Sequence, residues 1–169
     1  MDIRPAADSD ATQIAEIYNY YVENSHATFE TDLIGTAEML GRMEEGWAAG
    51  YPFFVCEDQS RIVGYAYGRR YRPRSAYLHS IEVSVYVKHG NEGQNIGTAL
   101  YSHLISDIRK KDFHAIIGGI SQPNEASVRL HEKFGFEKVA HFREVGRKFG
   151  RWIDVGYWEL LLDQGVVDG

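Results

Sequence analysis

The sequence predicts an α+β fold: one mixed, mostly antiparallel sheet with helices on both faces and a βαβ unit at its centre. Three observations predict it. Short β-branched and aromatic runs occupy much of the chain, segments with helical apolar spacing separate them, and a strand–helix–strand succession interrupts the hairpins. At 169 residues, with 44% hydrophobic and 25% charged residues, the chain is expected to form a single domain over residues 1–169.

The predicted elements have start or stop signals in the sequence. Asp8 and Thr36 are candidate N-caps for the first two helices, and Gly50 ends the second. Turn residues 58–60 between two apolar runs predict a β-hairpin, and Gly135 ends the last helix. In chain order, the predicted elements are a strand around Ile3, helices over 9–23 and about 36–49, strands over 53–57, 62–67 and 77–87, a helix with Leu100, Leu104, Ile105 and Ile108 on one face, a strand over 115–117, a helix over 125–134, and strands over 136–145 and 153–162.

Composition argues against several classes of protein. The formal charge is −6 without any basic run, whereas nucleic-acid binding needs clustered Lys and Arg to neutralise phosphates. Cys56 is the one cysteine, and no segment resembles a signal peptide or a membrane span, so we expect a cytoplasmic protein without membrane association. The histidines lack the spacing with cysteines or carboxylates that is typical of metal sites, and no metal is predicted.

The segment 88–97 joins the central strand to the next helix through a turn that contains glycine and asparagine. Amides of such a turn and of the first helical turn point outward, and the helix dipole adds a positive end, so a diphosphate can be held without a lysine. An ordinary βα loop is the alternative, and spacing alone does not decide between the two. The segment is therefore a candidate diphosphate site.

This loop resembles the acetyl-CoA motif of the GNAT superfamily of N-acetyltransferases, in which Gln or Arg is followed by two residues, Gly, one residue, and Gly or Ala. Gly97 matches the second glycine, whereas Glu92 occupies the Gln/Arg position and Asn95 the first glycine position. Asparagine tolerates left-handed backbone geometry better than other non-glycine residues, so we expect the loop to keep its shape. Glu92 is expected to weaken cofactor affinity unless its carboxylate points to solvent.

The segment 124–136 resembles the second hallmark of the superfamily, in which Asn at a helix start binds the pantetheine arm and Gly-Phe leads into the next strand. The resemblance implies a GNAT fold with acetyl-CoA as cosubstrate. It also implies that backbone amides of the central strand bind the pantetheine and the acetyl carbonyl, where two strands separate. The cofactor-binding residues that it implies are Val85, Tyr86, Val87, Gly93, Gln94, Asn95, Ile96, Gly97, Thr98, Asn124 and Ser127.

Within the superfamily, the chain most resembles phosphinothricin and methionine sulfone/sulfoximine N-acetyltransferases, over nearly its whole length. The stretches that carry this likeness are 17–22, 82–87, 127–132 and 148–158. The resemblance implies a homodimer that transfers acetyl to the amino group of a small amino-acid-like molecule by direct attack in a ternary complex. Arg72, Arg74 and Tyr77 match positions that hold the acidic substrate in these enzymes, and Phe29 matches an aromatic wall of the pocket. The alternatives are solvated arginines and a core role for Phe29.

Two residues are candidates for proton transfer. Alternation along the central strand places Glu82, Ser84 and Tyr86 on one face, and Glu82 is the candidate base for the substrate ammonium. The alternative for Glu82 is a solvated strand carboxylate. His131 stands where most relatives carry tyrosine and is a candidate base or acid for the departing thiolate, although alone it would be taken for an exposed helix residue. The sequence leaves open which of the two is the base.

Two other functions stay open at this point. One is an acetyltransferase for protein N-termini or polyamines, which would have an open or acidic pocket, and Arg72 and Arg74 argue against polyamines. The other is a noncatalytic acyl-CoA-binding module, for which the departures at Glu92 and Asn95 leave room.

Overall fold

The computed structural model describes residues 1–162, which form a seven-stranded mixed sheet with helices on both faces. The elements are β1 (Asp2–Pro5), α1 (Ala11–Asn24), α2 (Thr36–Ala48), β2 (Phe53–Asp58), β3 (Arg61–Arg70), β4 (Ser80–Val87), α3 (Ile96–Ile108), β5 (Ala115–Ser121), α4 (Glu125–Lys133), β6 (Glu137–Lys148) and β7 (Arg151–Leu161). The strand order is β1-β2-β3-β4-β5-β7-β6, and every neighbouring pair is antiparallel except β4 with β5. The predicted α+β fold class with its central βαβ unit is confirmed. The predicted single domain extends to residue 169, and 163–169 lie outside the described residues.

The two faces of the sheet carry separate hydrophobic clusters. Helix α3 packs on one face, where Leu100 and Leu104 are fully buried against Ile81 and Val83 of β4, and α4 adds partly buried side chains to the same cluster. Helices α1 and α2 cover the opposite face around Tyr65 of β3. The sequence predicted that Glu82, Ser84 and Tyr86 share one face of β4. Because side chains alternate along a strand and Tyr86 packs against Tyr18 and Tyr21, this face is the α1 side.

Several predicted boundaries are wrong by a few residues, each for a local reason. Asp8 does not cap α1, because residues 8–10 form a 3-10 turn and the helix begins after Asp10. Thr36 is the first helical residue of α2 and Gly35 is its N-cap. The central strand begins at Ser80 and not at residue 77, because Ser75–Tyr77 form a second 3-10 turn.

The two hairpins differ in how well the sequence predicted them. Gln59 and Ser60 have φ of +48° and +63°, the left-handed pair that a two-residue hairpin loop requires, and the β2–β3 hairpin is confirmed. The last hairpin is tighter than predicted, since its strands continue to Lys148 and resume at Arg151 around Phe149 and Gly150. A bulge in β6, between residues 142 and 146, breaks the alternation that would have shown the strand continuing.

The central feature of the sheet is a gap between its two parallel strands. Strands β4 and β5 pair only from Ser80 to Glu82, opposite Ala115 to Ile117. Beyond this point β4 stays paired with β3 as far as Val87, whereas β5 pairs onward with β7. Half of the N–H and C=O groups of residues 83–87 therefore face a gap and not a neighbouring strand.

The N-terminal strand is held by a buried carboxylate. Asp10, whose side chain is 5% exposed, accepts two hydrogen bonds from Arg4 at 2.7 and 2.9 Å and one from the Ala7 amide at 2.8 Å. The hydrogen bonds from Arg4 lower the pKa of Asp10, against the raising effect of burial. The charged form of Asp10 is thus favoured in the folded chain.

Replacing Asp10 with asparagine should lower the free energy of unfolding by about 2 kcal/mol at neutral pH, because charge-assisted bonds are lost. The pKa of Asp10 is depressed by folding, so this contribution is present above the ordinary value of 3.8 and is lost as pH falls through the folded-state pKa. Urea unfolding of both proteins at several pH values measures it. The exposed Asp8→Asn should stay near wild type. An equal difference between wild type and Asp10→Asn at neutral and strongly acidic pH would contradict the linkage.

Candidate active site

A cavity of about 730 Å³ opens where β4 and β5 separate. Its walls are β4 from Val83 to Val87, the loop before α3, the end of β5, helix α4, and the end of α1 with the segment that follows it. Ten of the eleven predicted cofactor-binding residues line it, and Gln94 does not: Val85, Tyr86, Val87, Gly93, Asn95, Ile96, Gly97, Thr98, Asn124 and Ser127. The crossover therefore brings together residues that lie about 40 positions apart in the sequence.

The loop at one end of the cavity has the geometry that a diphosphate requires. Asn95, the N-cap of α3, has φ of +60° and Gly93 has φ of +78°, so asparagine does adopt the left-handed conformation where the motif usually has glycine. A Cβ atom on Gly97 would lie 3.4 Å from Leu130 Cδ2 of α4, which shows how closely the loop approaches that helix. The N-terminus of the 13-residue α3 adds its unpaired amides and positive dipole end. These residues fit the diphosphate of acetyl-CoA.

Glu92 is exposed but does not simply point away from this loop. Its carboxylate accepts a hydrogen bond of 2.7 Å from the Gly90 amide and lies 3.2 Å from His89 Nδ1. Bonds from its own amide and from the Gly90 amide lower the pKa of Glu92. A fixed negative charge therefore lies at the edge of the cavity, near the position expected for the diphosphate.

We expect Glu92→Gln to bind acetyl-CoA about two to five times more tightly, since a unit charge at 4–8 Å in water opposes a second one by about 0.5–1 kcal/mol. The glutamine oxygen can still accept from Gly90, so the loop should keep its shape. Titration calorimetry at low and high salt measures the effect, which should shrink with salt because the site is exposed. Unchanged or weaker binding in the variant would mean that the carboxylate orders the loop more than it repels the cofactor.

Glu82 lies on β4 next to the point where the strands separate. Its side chain is 20% exposed and accepts two hydrogen bonds from Arg69 of β3, at 3.2 Å from Nε and 3.0 Å from Nη2. Partial burial lowers the pKa of Arg69, whereas the bonds to Glu82 and the charge of Glu82 raise it. The net shift of the Arg69 pKa is upward. Arg69 is therefore a permanent cation that fixes the orientation of the carboxylate.

Gly119 and Tyr157 complete the surroundings of Glu82, and the sequence did not single them out. A Cβ atom on Gly119, which lines the cavity, would lie 3.2 Å from Tyr157 Cε1 and 3.7 Å from Glu82 Oε1. The missing side chain thus leaves space between the carboxylate and the cavity. Burial raises the pKa of Tyr157, and the nearby charge of Glu82 raises it further. Glu82 is therefore a strand carboxylate at the edge of the cavity.

His131 lies in the cavity wall but is only 3% exposed, contrary to the appearance of a surface helix residue. Its Nδ1 lies 2.8 Å from the Ser127 carbonyl oxygen, which can only accept, so Nδ1 carries the proton. Its Nε2 then accepts a 3.0 Å bond from the hydroxyl of Tyr101, which is fully buried. Burial lowers the pKa of His131, although the bond to Ser127 opposes this. His131 is a neutral imidazole with both nitrogens engaged.

Asn124 and Ser127 form the start of α4 at the other side of the cavity. Asn124 is the N-cap, and its side-chain oxygen accepts a 3.1 Å hydrogen bond from the Ser127 amide. The cap uses the oxygen of Asn124 and leaves its amide nitrogen for a ligand. Both residues line the cavity.

The predicted substrate-binding residues lie outside this cavity. Arg72 and Arg74 are exposed in the segment before β4, and the guanidinium of Arg72 stacks 5.1 Å above the ring of Tyr71. Tyr77 contacts the same ring edge-on at 5.6 Å between centroids. Phe29 is 41% exposed and packs against β6, where a Cβ on Gly146 would lie 2.2 Å from its ring. The structure brings Arg72 and Tyr77 together, and it places Phe29 beside the last hairpin.

The remaining features of residues 1–162 that bear on function are the single thiol, possible metal ligands and the length of the helices. Cys56 is 1% exposed in the core, and burial raises the pKa of its thiol, which disfavours the nucleophilic thiolate. Over residues 1–162, no group of three or more His, Cys, Asp or Glu side chains is placed to hold a metal ion. Over the same residues, no helix is long and apolar enough to span a membrane.

Comparisons with known proteins agree with this geometry. The sequence profile described as "Acetyltransferase (GNAT) domain" matches residues 3–156. A phosphinothricin N-acetyltransferase of Streptomyces coelicolor is 40% identical over 168 residues, covering 96% of each chain. The L-methionine sulfoximine/L-methionine sulfone acetyltransferase of Salmonella typhimurium is 36% identical over 97% of this chain and 96% of that one. The structure of yncA from Salmonella typhimurium with its cofactor acetyl-CoA superimposes with a TM-score of 0.95 at 34% identity, covering 99% of this chain and 97% of that one. The chain belongs to the GNAT acetyltransferase family and is an acetyl-CoA-dependent N-acetyltransferase.

Proposed function

We propose that the enzyme acetylates the α-amino group of a small, acidic or strongly polar amino-acid-like molecule of the phosphinothricin, methionine sulfone or methionine sulfoximine type. The observation that carries this proposal is the position of Glu82 at the end of the β4–β5 pairing, beside Gly119 of the cavity wall. Because Gly119 has no side chain, space is left between the carboxylate and the cofactor cavity. An amine placed there would lie between a carboxylate and the gap. The substrates of the two curated relatives supply the chemical class.

In this proposal the backbone of residues 85–87 binds the pantetheine arm and the acetyl carbonyl as a neighbouring strand would. The free amides facing the gap can donate to the carbonyl oxygen, which gains negative charge when the amine attacks. Glu82 attracts the substrate ammonium and removes its first proton, and the cation of Arg69 keeps the carboxylate in place. The amine then attacks the thioester directly in a ternary complex. The burial of Cys56 in the core supports a reaction without an acyl-enzyme.

Arg72, Arg74, Tyr77 and Phe29 are the residues that we propose for holding the rest of the substrate. Guanidinium groups bind carboxylate and phosphinate oxygens through paired hydrogen bonds. Arg72 is held beside the aromatic pair Tyr71 and Tyr77, and its charge and that of Glu82 both act on the hydroxyl of Tyr157. A substrate with its amino group at Glu82 would thus present its acidic groups to a basic surface.

His131 has a narrower part in this proposal than the sequence left open. As a buried neutral imidazole, it is a poor source of a proton for the thiolate, and we propose that it shapes the cavity together with Tyr101. Between the two candidates for the base, the geometry favours Glu82, which has no donor other than Arg69 among the described residues. Ser127 supports His131 through its carbonyl.

The test is a substrate panel with acetyl-CoA, in which free thiol is followed for phosphinothricin, methionine sulfone, methionine sulfoximine, glutamate and spermidine. We expect turnover with the first three and none with spermidine. Release with spermidine alone would refute the substrate class. Binding of acetyl-CoA without release on any amine or N-terminal peptide would favour a noncatalytic acyl-CoA-binding module.

We further propose a cytoplasmic homodimer that associates through the β6–β7 hairpin. This hairpin carries the most clustered exposed apolar side chains of the described chain, namely Val139, Phe142, Val145, Phe149 and Trp152, each more than half exposed. Apolar patches of this kind mark association surfaces, and a self-complementary patch would form a twofold dimer. Light scattering at several concentrations tests it, and a monomer throughout would refute it.

A further inference from the structure

Acylation of an ammonium requires that two protons leave the nitrogen. One is removed before attack, and the other leaves the tetrahedral species, in which nitrogen carries a positive charge. The thiolate that departs takes up one proton. In the proposed function Glu82 accepts the first proton, and His131 has both nitrogens engaged. Neither residue is thus assigned to the second proton.

His26 is a candidate for this proton and lies in the loop that follows α1. It is half-buried and lines the cofactor cavity together with Ser121, the last residue of β5. Alternation along β5 places Ser121 on the same face as Gly119, the residue that borders Glu82. His26 therefore borders the cavity beside the face of β5 that Gly119 shares, which is the side on which the amine is proposed to bind.

The hydrogen bonds of Ser121 determine the protonation pattern of His26. Ser121 Oγ lies 2.6 Å from the His26 carbonyl oxygen, which can only accept, so the hydroxyl hydrogen is donated there. The same Oγ lies 3.1 Å from His26 Nδ1 and must accept in that contact, so Nδ1 carries a hydrogen. In the neutral ring Nε2 then holds the lone pair. Within residues 1–162, Nε2 has no partner.

We propose that His26 is a second catalytic residue beside Glu82, which carries the second proton from the substrate nitrogen to the departing sulfur; this rests on the proposed function. His26 Nε2 accepts the proton from the nitrogen of the tetrahedral species after the C–N bond has formed. As the C–S bond breaks, the imidazolium donates that proton to the thiolate. The products are the acetylated amine and CoA thiol, and the first proton leaves through Glu82 to solvent. One imidazole can serve both atoms because nitrogen and sulfur are bonded to the same carbon.

The test compares wild type with His26→Gln and His26→Ala in steady-state kinetics on the best amine of the panel. We expect kcat to fall about 100-fold in both variants, within the usual range for a positioned acid–base group, with KM for acetyl-CoA changed by less than about threefold. Added imidazole should restore about tenfold of the lost rate in His26→Ala and none in His26→Gln, whose side chain fills the space. Only a proton carrier predicts this rescue.

His103→Gln is the matched control, because His103 is an exposed histidine of α3 whose Nδ1 is bonded to the Ala99 carbonyl and which does not line the cavity. It should keep the wild-type kcat. Circular dichroism and acetyl-CoA titration establish folding of each variant. Wild-type kcat in folded His26→Gln and His26→Ala would overturn the proposal while leaving the proposed function intact. A wild type without turnover on any amine would overturn both.

Discussion

Glu82→Gln should lower kcat about 100- to 1000-fold while leaving the affinity for acetyl-CoA nearly unchanged. Glutamine keeps the size of the side chain but neither attracts the ammonium nor accepts its proton, and a general base contributes about 10²–10⁴ in rate. The cofactor affinity should persist because Glu82 borders the cavity without being one of the residues that line it. Initial rates of thiol release at saturating amine, with calorimetric titration of acetyl-CoA, measure the two quantities separately.

The controls for this prediction separate catalysis from folding. The Arg69–Glu82 pair is 56% and 20% exposed, and an ion pair of this kind contributes about 0–1 kcal/mol, too little to unfold the chain. Glu137→Gln removes an exposed strand carboxylate from β6 and should keep full activity. Arg69→Gln leaves Glu82 present but no longer fixed, so kcat should fall less than in Glu82→Gln. If Glu82→Gln retains most of its rate, the carboxylate is not the base.

Much of the fold follows from local pattern. The alternation on β4, the left-handed turn after β2 and the strand–helix–strand succession all depend on residues close together in the sequence. The left-handed conformation of Asn95 could be anticipated for the same reason, because it depends on the local backbone of the loop and asparagine tolerates it. The face of Glu82 likewise follows from a period of two.

What the sequence could not supply depends on contacts between distant segments. Arg69 reaches Glu82 only because of the β3–β4 register, and His26 meets Ser121 across 95 positions. Asp10, and not Asp8, directly precedes α1, and its carboxylate is bonded by Arg4 of β1. The sequence left open whether His131 is a site residue or an exposed helix residue. Its burial depends on Gly118 of β5, which has no side chain and so leaves room for the ring. A single sequence carries no signal for such pairings.

Gly118→Ala should destabilise the protein by about 3 kcal/mol, at the upper end for an overpacked core. The new Cβ would lie 2.3 Å from His131 Nε2 and 2.6 Å from its Cδ2. The ring cannot move aside easily, because it packs edge-to-face against Tyr101 and Phe136 at 5.2 and 5.0 Å between centroids. Urea or thermal unfolding measures the loss, and the melting temperature should fall by about 6–12 °C for a chain of this size. Gly46→Ala, in α2 with open space around it, should instead stabilise by about 0.5–1 kcal/mol.

A double-mutant cycle with His131→Ala assigns this loss to the ring. His131→Ala alone should destabilise, because it opens a hole in the core and leaves the buried Tyr101 hydroxyl without its acceptor. In that background the alanine at position 118 enters vacated space, so adding Gly118→Ala should cost less than about 1 kcal/mol. The coupling energy of about 2 kcal/mol or more would then belong to the contact between the two positions. Additive losses would instead mean that the cost of Gly118→Ala comes from the backbone of β5 and not from contact with the His131 ring. The burial of His131 would then depend on its other neighbours.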